Sequence, residues 1–370
     1  MIDPRPAPSA AILDGFLAGH VAAGTFPGAS YLVADAHRVV AEGALGDAVR
    51  EPEAIRATTA TVYDLASLTK PLATALCAVR LAAAGRLRLE DRVRRHLPEW
   101  RTGDARDGLT LLDLLTHRSG LAAWDPLYLH AQDAAGRIAR LRALPPAHAP
   151  LLGVTYSCPN YILLGLALER ASGTGLGELF DHLVRRPLGG PDILYRPPAA
   201  IRARVAATER GNARERQLAG AAGENYNAWR TGMIRGEVHD NNAHTMGGVA
   251  GNAGLFGTAR GVAAVASAFL EDGAGLLRES ERALFAHDFT PGLGQSRGVG
   301  FQIARTPGSA AGGSLSEDSF GHTGFTGTSL WVDPRARRIF ILLTNRVHPR
   351  FRDDDMNAVR REFHALAAGV

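Results

Sequence analysis

Apolar residues between about positions 10 and 24 recur at helical spacing and predict an amphipathic helix. The next segment, GASYLVADAHRVVAEGALG (28–46), holds two short β-rich runs with a break near Asp35–Arg38, which predicts a hairpin. From about Ser67 to Ala84 the pattern is helical again and stops at Gly85. LTLLDLLTHRSGL (109–121) and YILLGLALERASG (161–173) predict two more apolar helices, ending at Gly120 and Gly173. A glycine-rich run, MGGVAGNAGLFGTARG (246–261), leads into a helix over roughly Val262–Leu270. Strand patterns return late, in GVGFQIAR (298–305) and in GTSLWVDPRARRIFILLTN (327–345), where a turn at Asp333–Arg337 predicts a second hairpin. A final helix is expected near Met356–Ala368.

Strands at both ends and helices between them imply an α+β fold. An antiparallel sheet assembled from both termini carries flanking helices and a large helical insertion. The chain, 1–370, is expected to form a single domain. Its α/β part spans about 1–66 and 296–370, and its mainly helical part about 67–295. No internal repeat is present.

Composition narrows the picture modestly. Apolar residues make up 46% and charged residues 21%, ordinary values for a globular chain. The net charge of +4 is small and its basic residues are scattered, so a nucleic acid partner is not expected. Cys77 and Cys158 are too few for a disulfide framework or a thiolate metal site. Cys77 reads as a small buried apolar residue. The start of the chain lacks a basic run followed by a sustained apolar one, and no window reaches the apolar length of a membrane span. A cytoplasmic location without a membrane partner is the expectation.

One feature stands apart. Among 41 basic residues there is a single lysine, Lys70, in the stretch LASLTKP. Arginine stays protonated in proteins, whereas a desolvated lysine can release its proton. Lys70 follows Ser67 by three residues at the start of a predicted helix, so the two share a face about one turn apart. That spacing sets an amine beside a hydroxyl, with the unpaired N–H groups of a helix start nearby. Pro71 is tolerated only in a first turn, so the helix begins close to Ser67, and it disfavours helical geometry at Lys70 itself. On its own, S-x-x-K also fits a helix cap followed by a surface lysine.

Further motifs follow in order. TYSCPNYILLG (155–165) resembles the Tyr-x-Asn motif of class C β-lactamases, with Tyr156 as its phenol. FGHTGFTGTSLWVDP (320–334) resembles the Lys-Thr-Gly strand, with His322, Thr323 and Gly324 in that place. LTLLDLLTHRSGL and GEVHDNNAHTMGGVAGNAGLF (236–256) are also similar to segments of that family. From about Phe26 to Val347 the chain resembles the superfamily of class C β-lactamases and penicillin-binding-protein-like serine hydrolases, which includes esterases, D-amino-acid peptidases and acyltransferases.

The resemblance implies two-step acyl transfer without a metal or other cofactor. Ser67 would attack a carbonyl, while Lys70 and Tyr156 accept its proton and pass it to the leaving group. The N–H groups of Ser67 and Phe325 would form the oxyanion hole. Tyr156 or the Lys70 pair would then activate water. Cys158, His322, Thr323 and Gly324 would line the substrate. Two departures matter. Cys158 replaces an asparagine amide with a weakly bonding thiol, as a substrate contact or as a packing residue. His322 replaces a lysine, which implies that a fixed charge for a substrate carboxylate is dispensable and leaves an imidazole able to donate a hydrogen bond.

Other readings exist for these residues. Tyr156 alone fits a core tyrosine with a paired hydroxyl. His239, Asp240 and His244 in HDNNAH could ligate an ion, but their spacing matches no compact zinc motif. The glycines at 247, 248, 251 and 254 do not follow a strand as a phosphate-binding fingerprint would. No G-x-S-x-G elbow is present. The favoured reading is an esterase-like serine hydrolase of small-molecule ester, amide or lactam substrates. The alternatives are a β-lactamase or D-alanyl-D-alanine carboxypeptidase, or a catalytically silent ligand-binding sensor. The sequence leaves the oligomeric state open.

Overall fold

The computed structural model describes residues 8–271 and 273–370. The first seven residues of the expected domain, and of the segment read for a leader, lie outside them.

Twelve strands follow in chain order among the described residues: β1 (Gly28–Ala34), β2 (Val39–Val49), β3 (Ile55–Arg56), β4 (Tyr63–Asp64), β5 (Ile193–Tyr195), β6 (Ala207–Arg210), β7 (Met233–Arg235), β8 (Leu255–Gly257), β9 (Gln302–Ile303), β10 (Phe320–Thr323), β11 (Ser329–Asp333) and β12 (Arg338–Thr344). Seven of them build one antiparallel sheet, ordered β3-β2-β1-β12-β11-β10-β9. As the pattern implied, both ends of the chain supply it, and they meet where β1 pairs with β12, Tyr31 opposite Leu342.

All seven residues of β1 are buried. Successive side chains point to opposite faces, and each face has its own cover. Ala29, Tyr31 and Val33 join Phe340 and Leu342 of β12 against Leu13 and Leu17 of the helix Pro8–Ala22 and Phe363 of the helix Met356–Ala368. Leu32 joins Ile341, Leu330 and Val332 against Leu68, Leu72, Val262 and Val265 on the other side. A strand covered on both faces reads as a continuous apolar run, and GASYLVA is one.

The expected helix over Ser67–Ala84 is three pieces: a tight turn at Ala66–Leu68, a wide π-helical turn at Lys70–Ala75, and a regular helix at Leu76–Ala83. Pro71, which has no N–H to give, sits in the wide turn. Elsewhere capping moves the boundaries. Helix Leu111–Leu115 starts at Thr110, whose hydroxyl accepts from Asp113 while the Asp113 carboxylate accepts the Thr110 N–H, and it gives way at His117, where φ is 59°. The next predicted helix begins earlier, at Cys158, because Ser157 caps it and Pro159 fits its first turn, and it runs to Ser172. The helix expected at Val262 begins at Ala259 under the Thr258 cap. In GVGFQIAR only Gln302–Ile303 pair as a strand, since Gly300 turns at φ +79°, where a Cβ would lie 2.8 Å from the Ala75 Cβ and 3.2 Å from the Pro71 Cα.

Two small sheets, β4-β8-β5 and β6-β7, lie outside the large one. β4 runs straight into the Ser67 turn, and β8 lies within the glycine-rich run. Within that run Gly251 passes against helix Cys158–Ser172, where a Cβ would sit 1.9 Å from the Tyr161 carbonyl oxygen. Its own carbonyl accepts the Thr74 hydroxyl at 2.8 Å. Gly251→Ala is therefore expected to destabilise the fold by about 1–3 kcal/mol through overpacking. Urea unfolding checks this, and an unchanged midpoint would contradict the close approach.

Candidate active site

Ser67 stands on a strained turn. Ala66 before it has φ 48°, a conformation costly for a residue with a Cβ. The buried Asp64 holds it there, accepting the Ala66 N–H at 2.8 Å through one oxygen and the His239 N–H at 2.7 Å through the other. Hydroxyls from the loop between β10 and β11 clamp the same backbone: Thr326 donates to the Asp64 carbonyl at 2.8 Å and Thr328 to the Leu65 carbonyl at 3.0 Å.

Lys70 is fully buried. Its Nζ donates to Ser67 Oγ at 2.9 Å and to the Asn252 carbonyl at 3.1 Å, and lies 3.5 Å from Cys158 Sγ. The Tyr156 ring centroid is 5.0 Å from the amine. Desolvation pulls the ammonium down, while anionic forms of Cys158 and Tyr156, and Asp240 farther off, pull it above its ordinary value; the net direction is upward. Burial, however, also pushes the Cys158 thiol and the Tyr156 phenol up, so at neutral pH both are uncharged. The Tyr156 hydroxyl interacts with both Lys70 and Ser67, which tempers its rise.

A cavity of about 420 Å³ opens in front of Ser67, with Tyr156, His322, Thr323, Gly324 and Phe325 on its walls. Lys70 lies behind Ser67 and Cys158 beside Lys70; neither lines the cavity. The N–H groups of Ser67 and Phe325 have no hydrogen-bond partner among the described residues. The predicted residues thus come together. Cys158 faces the amine rather than the cavity, with its N–H on the Ala123 carbonyl.

His322 departs from expectation. Its Nδ1 lies 2.8 Å from the Thr323 carbonyl oxygen, which can only accept, so Nδ1 carries the proton. Burial, together with the Lys70 and Arg297 charges, holds the imidazole well below its ordinary value, hence neutral. Nε2, buried without a partner, therefore presents a lone pair. The imidazole is an acceptor there, not the donor expected.

Nor does the site lack fixed charge. Arg297, Arg346 and Arg360 all line the cavity, and none forms an ion pair with a carboxylate among the described residues. The Arg297 guanidinium lies 5.9 Å from the Tyr156 ring centroid, and desolvation brings it down to about 10. Arg360 donates to the Gly324 and Thr328 carbonyls at 2.9 and 3.1 Å. Sequence reasoning passed over all three. A signal existed for Arg360, which shares the buried stripe Met356, Val359, Phe363 and Ala367 of its helix.

The 239–244 residues are engaged otherwise. His239 pairs with Glu209 at 3.0 Å, Asp240 caps helix Asn241–Thr245, and His244 lies 3.8 Å from Glu237. His239 also stacks on Phe325, ring centroids 5.6 Å apart.

This arrangement, a hydroxyl on a buried amine with two unpaired N–H groups and a phenol beside it, is that of a serine hydrolase of the β-lactamase fold. The sequence pattern of the family described as Beta-lactamase matches residues 13–365, and the chain belongs to that family. It is 30% identical over 363 residues to the protein named "Putative D-alanyl-D-alanine carboxypeptidase" of Escherichia coli K12, covering 90% of this chain and 81% of that one. Among solved structures, it is similar to EstCE1, described as a hydrolase with promiscuous acyltransferase activity. There the TM-score is 0.73 and the identity 22%, over 96% of this chain and 98% of that one. Unliganded simvastatin synthase (LovD) from Aspergillus terreus aligns with a TM-score of 0.72 and 20% identity, over 98% and 99% of the two chains. Likeness at that identity speaks to the fold. Among the described residues no helix is long and apolar enough to cross a membrane.

The buried imidazoles set a pH dependence of stability. Burial lowers His117, His322 and His364 below the ordinary value of 6.5. The unfolded chain takes up protons at these residues as pH falls through 6.5, and the folded one does not. Their contribution is thus present above that value and lost on the acid side. Burial lowers His244 and His348 as well, while His239, raised by Glu209, and Glu215, raised by burial to about 7, work in the opposite sense, two groups against five. The urea midpoint should fall between about pH 7.5 and pH 5, above the range where most carboxylates titrate. A midpoint that holds or rises would contradict this.

Proposed function

We propose that the protein hydrolyses small ester or amide substrates through an acyl-enzyme on Ser67. The observation that carries this is the 2.9 Å contact between Lys70 Nζ and Ser67 Oγ at the base of the cavity. Ser67 Oγ attacks the substrate carbonyl as its proton passes to the Lys70–Tyr156 pair. The oxygen that gains charge is received by the Ser67 and Phe325 N–H groups, which lose no existing hydrogen bond in turning to it. The pair returns the proton to the leaving group, and then takes one from the water that releases the acyl group. Thr323 and Gly324 edge the substrate, and His322 Nε2 accepts from any donor it carries. No metal or other cofactor is needed for these steps.

A second reading, carboxypeptidase action on a peptide with a free carboxylate such as D-alanyl-D-alanine, is favoured by the three cavity arginines. Arg297 is the one over the Tyr156 ring and best placed to receive that group. The name of the Escherichia coli relative supports the same reading.

Both are tested by measuring turnover of p-nitrophenyl acetate, a chromogenic cephalosporin and an acylated D-alanyl-D-alanine peptide. Ser67→Ala should lower any genuine turnover by roughly a thousandfold or more. Lys70→Arg should fold normally yet lose nearly all activity, because guanidinium cannot take the proton. Equal activity in Ser67→Ala would refute acyl-enzyme catalysis at this residue. Retained activity in Lys70→Arg would refute proton transfer through Lys70. Arg297→Gln should raise KM for the peptide at least tenfold and leave the acetate ester nearly unchanged under the second reading. Equal effects on both would remove it.

A further inference from the structure

A second cavity, of about 560 Å³, lies beside the β6–β7 hairpin and shares no lining residue with the cavity at Ser67. Five arginines wall it: Arg210, Arg214, Arg216, Arg230 and Arg350. Arg210 is paired with Glu51 at 2.6 Å. The other four form no ion pair with a carboxylate among the described residues. The one carboxylate on the wall, Glu209, is already committed, accepting the Arg214 N–H at 3.1 Å and facing His239 Nε2 at 3.0 Å.

Two buried donors on this wall have no acceptor among the described residues. Asn212 is 3% exposed, and its Oδ1 accepts the Arg230 Nε at 3.0 Å and the Arg230 backbone N–H at 3.3 Å. Those bonds fix which end of the amide is oxygen and leave Nδ2 with both hydrogens unpaired. Arg214 Nε is likewise buried and unpartnered, its guanidinium held 4.8 Å from the Phe351 ring centroid. Folded proteins seldom leave buried donors orphaned, and here two of them share a wall with arginines that form no ion pair among the described residues. What satisfies both is an anion with several acceptor oxygens.

We propose that this cavity is a binding site for a phosphate-class oxyanion, as the free ion or as the phosphoryl group of a larger molecule. Arg230 spends its guanidinium on Asn212 Oδ1 and on the Val238 and His239 carbonyls. The three remaining guanidinium groups, of Arg214, Arg216 and Arg350, still exceed the charge of a single carboxylate, and a tetrahedral oxyanion offers enough oxygens for donors converging from several directions. The site is independent of Ser67 chemistry.

Isothermal titration with inorganic phosphate, at fixed ionic strength against chloride, tests it. One phosphate should bind per chain. Asn212→Asp keeps the oxygen that Arg230 uses and removes the donor, and it should weaken binding at least tenfold. Arg350→Ala, an exposed change that does not threaten the fold, should weaken it as well. Arg297→Gln, in the other cavity, should leave it unchanged. Displacement of phosphate by a phosphomonoester at lower concentration would assign the site to a carried phosphoryl group, and failure to displace it would assign the free ion. Absence of saturable binding would overturn the proposal. So would an affinity unchanged in both Asn212→Asp and Arg350→Ala, or lost in Arg297→Gln.

Discussion

The structure around Ser67 is organised by the burial of an amine that no carboxylate among the described residues pairs. Removing an ammonium from water costs several kcal/mol even after relaxation, and Lys70 meets that cost with neutral acceptors: a hydroxyl, a backbone carbonyl and a thiol. Each comes from a different part of the chain. The Ser67 turn follows β4, Asn252 precedes β8, and Cys158 opens a helix. An arginine would carry a permanent charge there, and a bulkier head, which is why the chain's one lysine stands at this place. The weak thiol leaves the amine bound chiefly to Ser67 and Asn252, with a carboxylate no nearer than Asp240 among the groups that raise it.

Holding those three acceptors together accounts for irregularities nearby. The wide turn at Lys70–Ala75 accommodates Pro71 while Lys70 reaches back to Ser67. Gly251 lets the Asn252 carbonyl approach past the Tyr161 backbone, where any side chain would collide. The positive φ at Ala66 is sustained by Asp64 and by two threonine hydroxyls from the β10–β11 loop. That same loop carries the Phe325 N–H. The two unpaired donors in the cavity, from segments remote in sequence, are therefore fixed to one another through Thr326 and Thr328 rather than through the sheet alone.

What the sequence made legible follows the range of the interactions involved. The sheet built from both termini was readable because short β-rich runs and hairpin turns are local. So was the Ser67–Lys70 pairing, which needs only one turn of chain. Strand length at 298–305 was not, because Gly300 turns the backbone and a Cβ at Gly298 or Gly300 would meet the Phe285 carbonyl or Ala75 and Pro71, contacts that no local pattern encodes. The regular helix expected across Ser67–Ala84 misled for a related reason: periodicity cannot distinguish an α-helical turn from a wider one. The arginines of the cavity were hidden in a chain with arginine almost everywhere, and Arg297 lies in a glycine-rich stretch without periodicity. Arg360 was the exception in principle, being a cation on the apolar stripe of its helix.

His322 and those arginines bear on one another. Read alone, an imidazole in place of a lysine suggests a site that has given up its fixed charge. In three dimensions the charge has moved. Arg297 comes from the turn before β9, Arg346 from the end of β12 and Arg360 from the C-terminal helix, and all line the cavity that His322 faces. Burial, with the charges of Lys70, Arg297 and Arg360 added to it, keeps the imidazole neutral. Its Nδ1 proton is committed to the Thr323 carbonyl, so a lone pair faces inward. A lysine at position 322 would add a further cation to a cavity already rich in them. A neutral acceptor among cations instead gives the wall two kinds of recognition, for an anionic group and for a hydrogen-bond donor on the same small substrate.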